Sequence, residues 1–262
     1  MPRPATKRAL VEAFDERLRR VDQALHAAQK DPSERASHRL RTSTRRLEAT
    51  LSILPKQVRS RGPWARYVRR AKVLFKAHGA VRDLDVLAKR LSAYPECAAL
   101  VRRIRSERAR ARAHALGLGA QELAAPPPLE ADAVSGRAVR ARLDDRGEAL
   151  RARLGRELRR TRKHAAVDEH AHDARKTAKQ LRYVLEALDE QAFREALGAL
   201  EALQDLLGAM HDAAVARDRL RAEHDEALAR ATRAEERSRL ALHVELPAAW
   251  RAVRQALARD AR

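Results

Sequence analysis

Residues 38–48, HRLRTSTRRLE, are followed more than a hundred residues later by a second stretch of the same design, residues 172–183, HDARKTAKQLRY. His38, Arg41, Arg45 and Leu47 correspond in order and spacing to His172, Arg175, Lys179 and Leu181. At about 100° per residue, positions i, i+3 and i+7 of an α-helix fall within roughly 60° of one another, so each copy gathers a histidine and two cations on one stripe. Leu40, Leu47, Leu51 and Leu54 fall on the other side of the first helix, as Ala174, Leu181, Leu185 and Leu188 do in the second. Each helix thus has one side to bury and one to turn towards an anion.

Outward from these copies, nearly every segment carries a helical period and is rich in Ala, Leu, Arg and Glu, with few of the β-branched and aromatic residues that favour strands. The chain reads as all-α. A first helix spans Thr6 to Gln29, after which Asp31, Pro32 and Ser33 form a stop and a new N-terminal cap. The motif helix ends at Leu54 before Pro55, and a third helix runs from Trp64 to His78, with Gly79 as its terminator. Asp83 and Asp85 are placed in the first turn of the next helix, where carboxylates suit the positive dipole end, and after Pro95 a basic helix continues to about Leu116. Residues 117–135, GLGAQELAAPPPLEADAVS, contain three consecutive prolines that cannot continue a helix. Residues 119–135 are therefore read as a linker between residues 1–118 and 136–262.

The second half repeats the order of the first: a long helix from Gly136 to His164, the motif helix to Leu188, and a third helix from Phe193 to Met210. Gly79-Ala80-Val81-Arg82-Asp83-Leu84-Asp85-Val86 matches Gly208-Ala209-Met210-His211-Asp212-Ala213-Ala214-Val215. Two motifs in the same order, offset by 134 and 129 residues, point to internal duplication. Two similar helical bundles about a pseudo-twofold axis are the expected arrangement.

Among 262 residues, 56 Lys+Arg stand against 36 Asp+Glu, for a formal charge of +20 and a pI near 11.2. Such an excess repels itself unless an anionic partner or counterions offset it, which points to nucleic acid, a membrane surface or a phosphate polymer. Ala/Arg-rich usage also follows genome composition, so basicity alone does not select among them. Cys97 is the only cysteine, and no disulfide framework or secretory h-region is present, which leads to the expectation of a cytoplasmic protein. No run of 18 apolar residues occurs, and no membrane partner is expected.

With both motifs in place, the chain resembles the CHAD family, the conserved-histidine α-helical domain. The resemblance rests on His38-x-x-Arg41 with Arg45-Arg46-Leu47, His172-x-x-Arg175 with Lys179-Gln180-Leu181-Arg182-Tyr183, Gly79-x-x-Arg82-Asp83-Leu84-Asp85-Val86, and Leu207-Gly208-x-x-His211-Asp212. It implies two tandem four-helix-bundle repeats about a pseudo-twofold axis, with a basic central groove or pore that binds inorganic polyphosphate, and recruitment to polyphosphate granules. Glu48 stands where the second copy has Arg182, which leaves the first half one cation fewer.

Polyphosphate offers a regular row of anionic oxygens and no bases, so it calls for a track of cations. Arg41 and Arg175 supply planar forks for bidentate contact, and Arg45 and Lys179 lie one turn on, about 6 Å along the helix. Arg46 and Arg182 flank these, Lys72 and Lys76 repeat the i, i+4 step, and Arg82 has His211 as its counterpart. His38 and His172 complete the set as imidazoles that add charge when protonated or donate one N–H when neutral. The competing reading of such a histidine is a helix-start residue bonded to a carboxylate or carbonyl. No catalytic residue, resident metal or cofactor is assigned: His211-Asp212 resembles the HD pair of metal phosphohydrolases, but the first copy is Arg82-Asp83, which loses a ligand.

The arginines at 102–112 and those between Arg137 and Arg162 read as solvated faces with intrahelical ion pairs. Trp64, Tyr67, Phe75, Tyr183 and Trp250 read as core or boundary packing. Three functions compete: a non-catalytic polyphosphate binder, a non-specific binder of nucleic-acid backbone, and a metal-dependent polyphosphate or phosphoester hydrolase. Eight aromatic residues and no Asn leave little for base stacking or base reading. A P-loop and a Cys/His metal spacing are also missing.

Overall fold

The fold is described from a computed structural model, over residues 7–30, 33–53, 62–119, 136–164, 168–188 and 191–260. The secondary structure of these residues is α-helical apart from two 3-10 turns and short connections. The helices are α1 Lys7–Lys30, α2 Glu34–Ile53, α3 Gly62–Leu91, α4 Ala98–Gly119, α5 Gly136–Lys163, α6 Asp168–Leu188, α7 Arg194–Arg221 and α8 Ala229–Asp260. The 3-10 turns are Pro95–Cys97 and Glu226–Leu228. No helix among the described residues is long and apolar enough to cross a membrane. The expected stop at Asp31-Pro32, the break at Leu54-Pro55 and the proline-rich stretch 120–135 lie outside the described residues.

Contacts divide the chain into two compact units, one of residues 4–89 and 100–144, the other mainly of residues 90–99 and 145–262. In the first, α1 packs against α2. Ala24, Leu25 and Ala28 of α1 meet Ala36 and Leu40 of α2 and Leu74 of α3, with Leu118 of α4 closing the cluster. Ser33 caps α2 as expected: its Oγ accepts from the Ala36 N–H at 3.3 Å. The predicted apolar face of the motif helix is the buried one, since Leu40, Leu47 and Leu51 are all enclosed. In the second unit α6 packs on α7 and α7 on α8. Ala174, Leu181 and Leu185 bury the corresponding face of α6.

Helix α3 departs from expectation. It runs without interruption from Gly62 to Leu91, so Gly79 is an interior residue and not a terminator. Met210 likewise lies inside α7, which continues to Arg221. A helix-interior glycine costs roughly 0.5–1 kcal/mol relative to alanine, and here its small size leaves space that an arginine of the motif helix fills. Asp83 and Asp85 are consequently mid-helix residues with partners on other helices. The carboxylate of Asp85 accepts from Arg108 of α4 at 2.7 Å.

Residues 90–99 join the second unit through polar contacts to α8. Arg90 Nε donates to the buried Glu235 carboxylate at 2.6 Å, and the Tyr94 hydroxyl donates to its other oxygen at 2.9 Å. Burial and the Glu235 charge raise the Tyr94 phenol above its ordinary range. Arg230 of α8 pairs with Glu96 at 3.0 Å.

A second ionic cluster fixes the start of the motif helix α6. The side chains of Arg217 on α7 and Arg239 on α8 are 8% and 3% exposed, and both reach Asp168 in the first turn of α6. Arg217 also donates to Glu236 at 2.8 Å, and Arg239 to the same carboxylate at 2.6 Å. Hydrogen bonds from these arginines hold the Glu236 carboxyl down at about 2, against desolvation. A depressed carboxylate pKa stabilises the fold fully above the ordinary carboxylate range, and the contribution is lost as pH falls towards 2. Removing one partner of a buried ionic cluster leaves the others uncompensated, so Arg217→Ala is expected to destabilise the protein by about 3–5 kcal/mol. Urea unfolding at neutral pH checks this, and a loss below about 1 kcal/mol would mean that solvent already screens the cluster.

Candidate functional site: two arginines seated on helix glycines

Each unit holds one copy of the motif, and the two copies share one local construction. In the first, Arg41 of α2 crosses to α3 and lies against Gly79. A Cβ placed at Gly79 would stand 2.2 Å from Arg41 Nη1, a separation that real Cβ atoms do not tolerate. In the second, Arg175 of α6 lies over Gly208 of α7, with Nε and Nη2 at 3.5 and 3.6 Å from the equivalent Cβ position. The glycines shared by the two repeats serve as seats for the arginines, a function that depends on a partner helix.

In the first unit both motif arginines stack on one aromatic ring. The guanidinium carbons of Arg41 and Arg45 each lie 5.0 Å from the Phe75 centroid, within cation–π range. Phe75, expected to be packing, therefore also serves as the platform that aims two cations. Arg41 is 18% exposed and its Nη2 is 3.8 Å from the Asp83 carboxylate, a long pair with a largely exposed partner. Lys72 pairs with Glu48 at 3.3 Å, whereas Lys76 is exposed. His38 is exposed near the start of α2, and Arg46 and Arg82 are half-buried. The Arg46 carbonyl accepts from Arg17 at 3.2 Å. His78, one residue before Gly79, is buried beside Ser37, with Nδ1 3.4 Å from the Ser37 hydroxyl, and burial lowers its pKa.

In the second unit His172 and His211 meet, with ring centroids 4.8 Å apart and planes inclined at 33°. His211, the counterpart of Arg82 in the repeat, is thus a neighbour in space of the motif histidine. Among the described residues, Nδ1 of His172 is enclosed with no hydrogen-bond partner, and so is Nε of Arg175. Burial, followed by the charges of Lys176, His211 and Arg175, pushes the His172 pKa down to about 4. At neutral pH this imidazole is neutral, so it contributes a ring nitrogen to the site and not a charge. Lys179 is half-buried, one turn beyond Arg175.

Arg182 has a different placement. It pairs with Glu186 at 3.1 Å and with Glu201 at 3.2 Å, and donates to Gln204 at 3.3 Å. Its charge is largely answered within the unit. Glu48, at the matching position of the first copy, is itself answered by Lys72. The apparent difference of one cation between the copies is therefore balanced by different local partners. No group of three or more His, Cys, Asp or Glu among the described residues is arranged to hold a metal ion.

A family model for the CHAD domain matches residues 12–221, and the chain belongs to that family. In fold it is similar to the crystal structure of the CHAD domain from the plant Ricinus communis, with a TM-score of 0.63 and 24% identity. That alignment covers 96% of this chain and 91% of the plant chain. No curated protein matches the sequence.

Two predictions follow from this geometry. Gly79→Ala is expected to fold and to displace the Arg41 guanidinium from Phe75, because the clashing atom is the end of a flexible side chain, whereas Gly208→Ala leaves Arg175 in place at ordinary contact distance. Crystal structures of the two variants check this; an unmoved Arg41 in the first would contradict the seat. His172 is expected to titrate with a midpoint of about 4 by NMR. A midpoint near the ordinary 6.5 would show that solvent reaches the ring freely.

Proposed function

We propose that the protein binds inorganic polyphosphate without transforming it, through the two motif ridges: His38, Arg41, Arg45 and Arg46 with Lys72, Lys76 and Arg82 in the first unit, and His172, Arg175, Lys179 and His211 in the second. Arg182, which the sequence alone adds to this list, contributes in this reading through its ion pairs as support for α6. The observation that carries the proposal is Arg175. It is a half-buried guanidinium whose enclosed Nε has no hydrogen-bond partner among the described residues, beside a histidine that burial, and then the charges around it, keep neutral. A partly desolvated cation without an acceptor is costly, and an incoming anion offsets that cost through charge-assisted hydrogen bonds. A phosphoryl group presents several such acceptors, and a polymer of them matches cations placed one helical turn apart.

Phe75, the aromatic beside Arg41 and Arg45, already lies under both guanidinium groups and so is not open to stack a base. This favours a polymer of phosphates over a single-stranded nucleic acid. In this reading the protein takes no resident cofactor, and a cytoplasmic location, including the surface of polyphosphate granules, follows from the ligand.

Arg41→Ala combined with Arg175→Ala is expected to weaken binding of long-chain polyphosphate by more than an order of magnitude at moderate salt, each lost charge-assisted contact being worth about 1.5–3 kcal/mol. Fluorescence anisotropy on the folded double variant checks this, and unchanged affinity would place the polymer elsewhere. Wild-type affinity should fall steeply with salt, as for other polyanion complexes. Phosphate release in the presence of Mg²⁺, Mn²⁺ or Zn²⁺ would overturn the non-catalytic reading.

A further inference from the structure

The last two turns of α5 carry a cluster of cations that the motif ridges do not use. Arg156, Arg159, Arg160, Arg162 and Lys163 are all exposed. Four of them, Arg156, Arg159, Arg160 and Lys163, stand at i, i+3, i+4 and i+7 and so share a stripe about 100° wide. Leu150, Leu154, Leu158 and Thr161 face the other way into the core. Glu157, the one acid within these two turns, is buried on that inner face, where it accepts from Arg153 at 2.6 Å. Among the described residues the five cations have no ion-pair partner.

Some exposed arginines elsewhere are paired. Arg19 and Arg20 share Glu16, and Arg230 holds Glu96. Of the intrahelical pairs expected in α5, Arg153 makes one with Glu157, and the turns beyond it carry none among the described residues. The helix dipole explains only part of the cluster. The C-terminal end of a helix carries about half a negative charge, and five cations exceed it several-fold.

We propose that the Arg156, Arg159, Arg160 and Lys163 stripe is a sequence-independent docking surface for duplex DNA, carried by a different helix from the histidine–arginine ridges. Charge complementarity supplies the attraction and shape selects the partner. An α-helix with its side chains is about 10–12 Å across, and the major groove of B-form DNA, about 12 Å wide, admits one with phosphates on both flanks. The major groove of A-form RNA is too narrow for this. On the exposed side of α5 the stripe is preceded by Ala149 and Ala152. The stripe itself carries no aromatic ring to stack single-stranded bases and no large apolar residue to enter a bilayer, and the ring beside it, Trp250 of α8, is half-buried against Gly155.

The test uses the full chain and a mixed-sequence DNA duplex of about two helical turns, with anisotropy read over a salt series. In R156Q/R159Q/R160Q/K163Q, where all four substitutions are exposed and helix content by circular dichroism should be unchanged, duplex affinity is expected to fall at least about tenfold. The slope of log K against log salt should drop by about 3 to 4, roughly 0.9 per phosphate contact removed. Polyphosphate affinity should stay within about twofold, since its losses belong to Arg41→Ala with Arg175→Ala. Failure of the wild type to bind the duplex, an unchanged slope in the variant, or tighter binding of the matching single strand would overturn the proposal. Equal loss of polyphosphate and duplex binding would also overturn it, by making the stripe part of a common anion track. A protein that binds the duplex through the stripe and ignores polyphosphate would sustain this inference while ending the function proposed above.

Discussion

The arrangement of the site depends on a guanidinium lying flat against a helix where a side chain would otherwise stand. At both motif copies an arginine from one helix rests on a glycine of the next, Arg41 on Gly79 and Arg175 on Gly208. Each contact fixes two things together. It brings the motif helix close to its neighbour, which lets Leu40 meet Leu74 in the first unit. It also holds a cation half out of water, where an anion gains more from it than from a freely hydrated side chain. The energetic cost of a glycine in a helix interior is accepted at both positions, and the neighbouring leucines and alanines offset it through burial.

The two copies solve the same problem with different neighbours. In the first, Phe75 carries the weight of Arg41 and Arg45, and Asp83 stands near enough to orient one of them. In the second, no aromatic among the described residues plays that part; the His172–His211 pair lies there, and burial together with the nearby charges suppresses protonation of His172. An anion arriving beside Arg175 and Lys176 would relieve that suppression, so proton uptake and anion binding are physically linked there. The ionic cluster of Arg217, Arg239, Asp168 and Glu236 holds the first turn of α6 against α7 and α8, and thereby sets where His172, one turn further on, projects.

The features legible in the sequence are those that a single helix decides for itself. The split of the motif helix into a leucine face and a histidine–arginine face follows from the 3.6-residue period, and the structure buries Leu40 and Leu47 while leaving His38 exposed. The Ser33 cap follows from local chemistry. What was not legible depends on a partner helix. A glycine such as Gly79 looks like a terminator until Arg41 is seen to occupy its missing side chain. The ion pairs of Arg182 are hidden for the same reason, since Glu201 lies nineteen residues on and in another helix. The unpaired end of α5 was hidden for the converse reason: Glu157 has the spacing of an ion-pair partner, but its side chain points into the core. Residues 90–99 group with the second unit because of Glu235, which no pattern near Arg90 announces.

The most direct measurement is a crystal structure of the full chain with a short polyphosphate bound at moderate salt. The expected result is phosphoryl density within hydrogen-bonding distance of Arg175 Nε and of the Arg41 guanidinium, with both arginines still resting on their glycines. Polymer density confined to other basic surfaces, with Arg175 Nε still lacking an acceptor, would contradict the account.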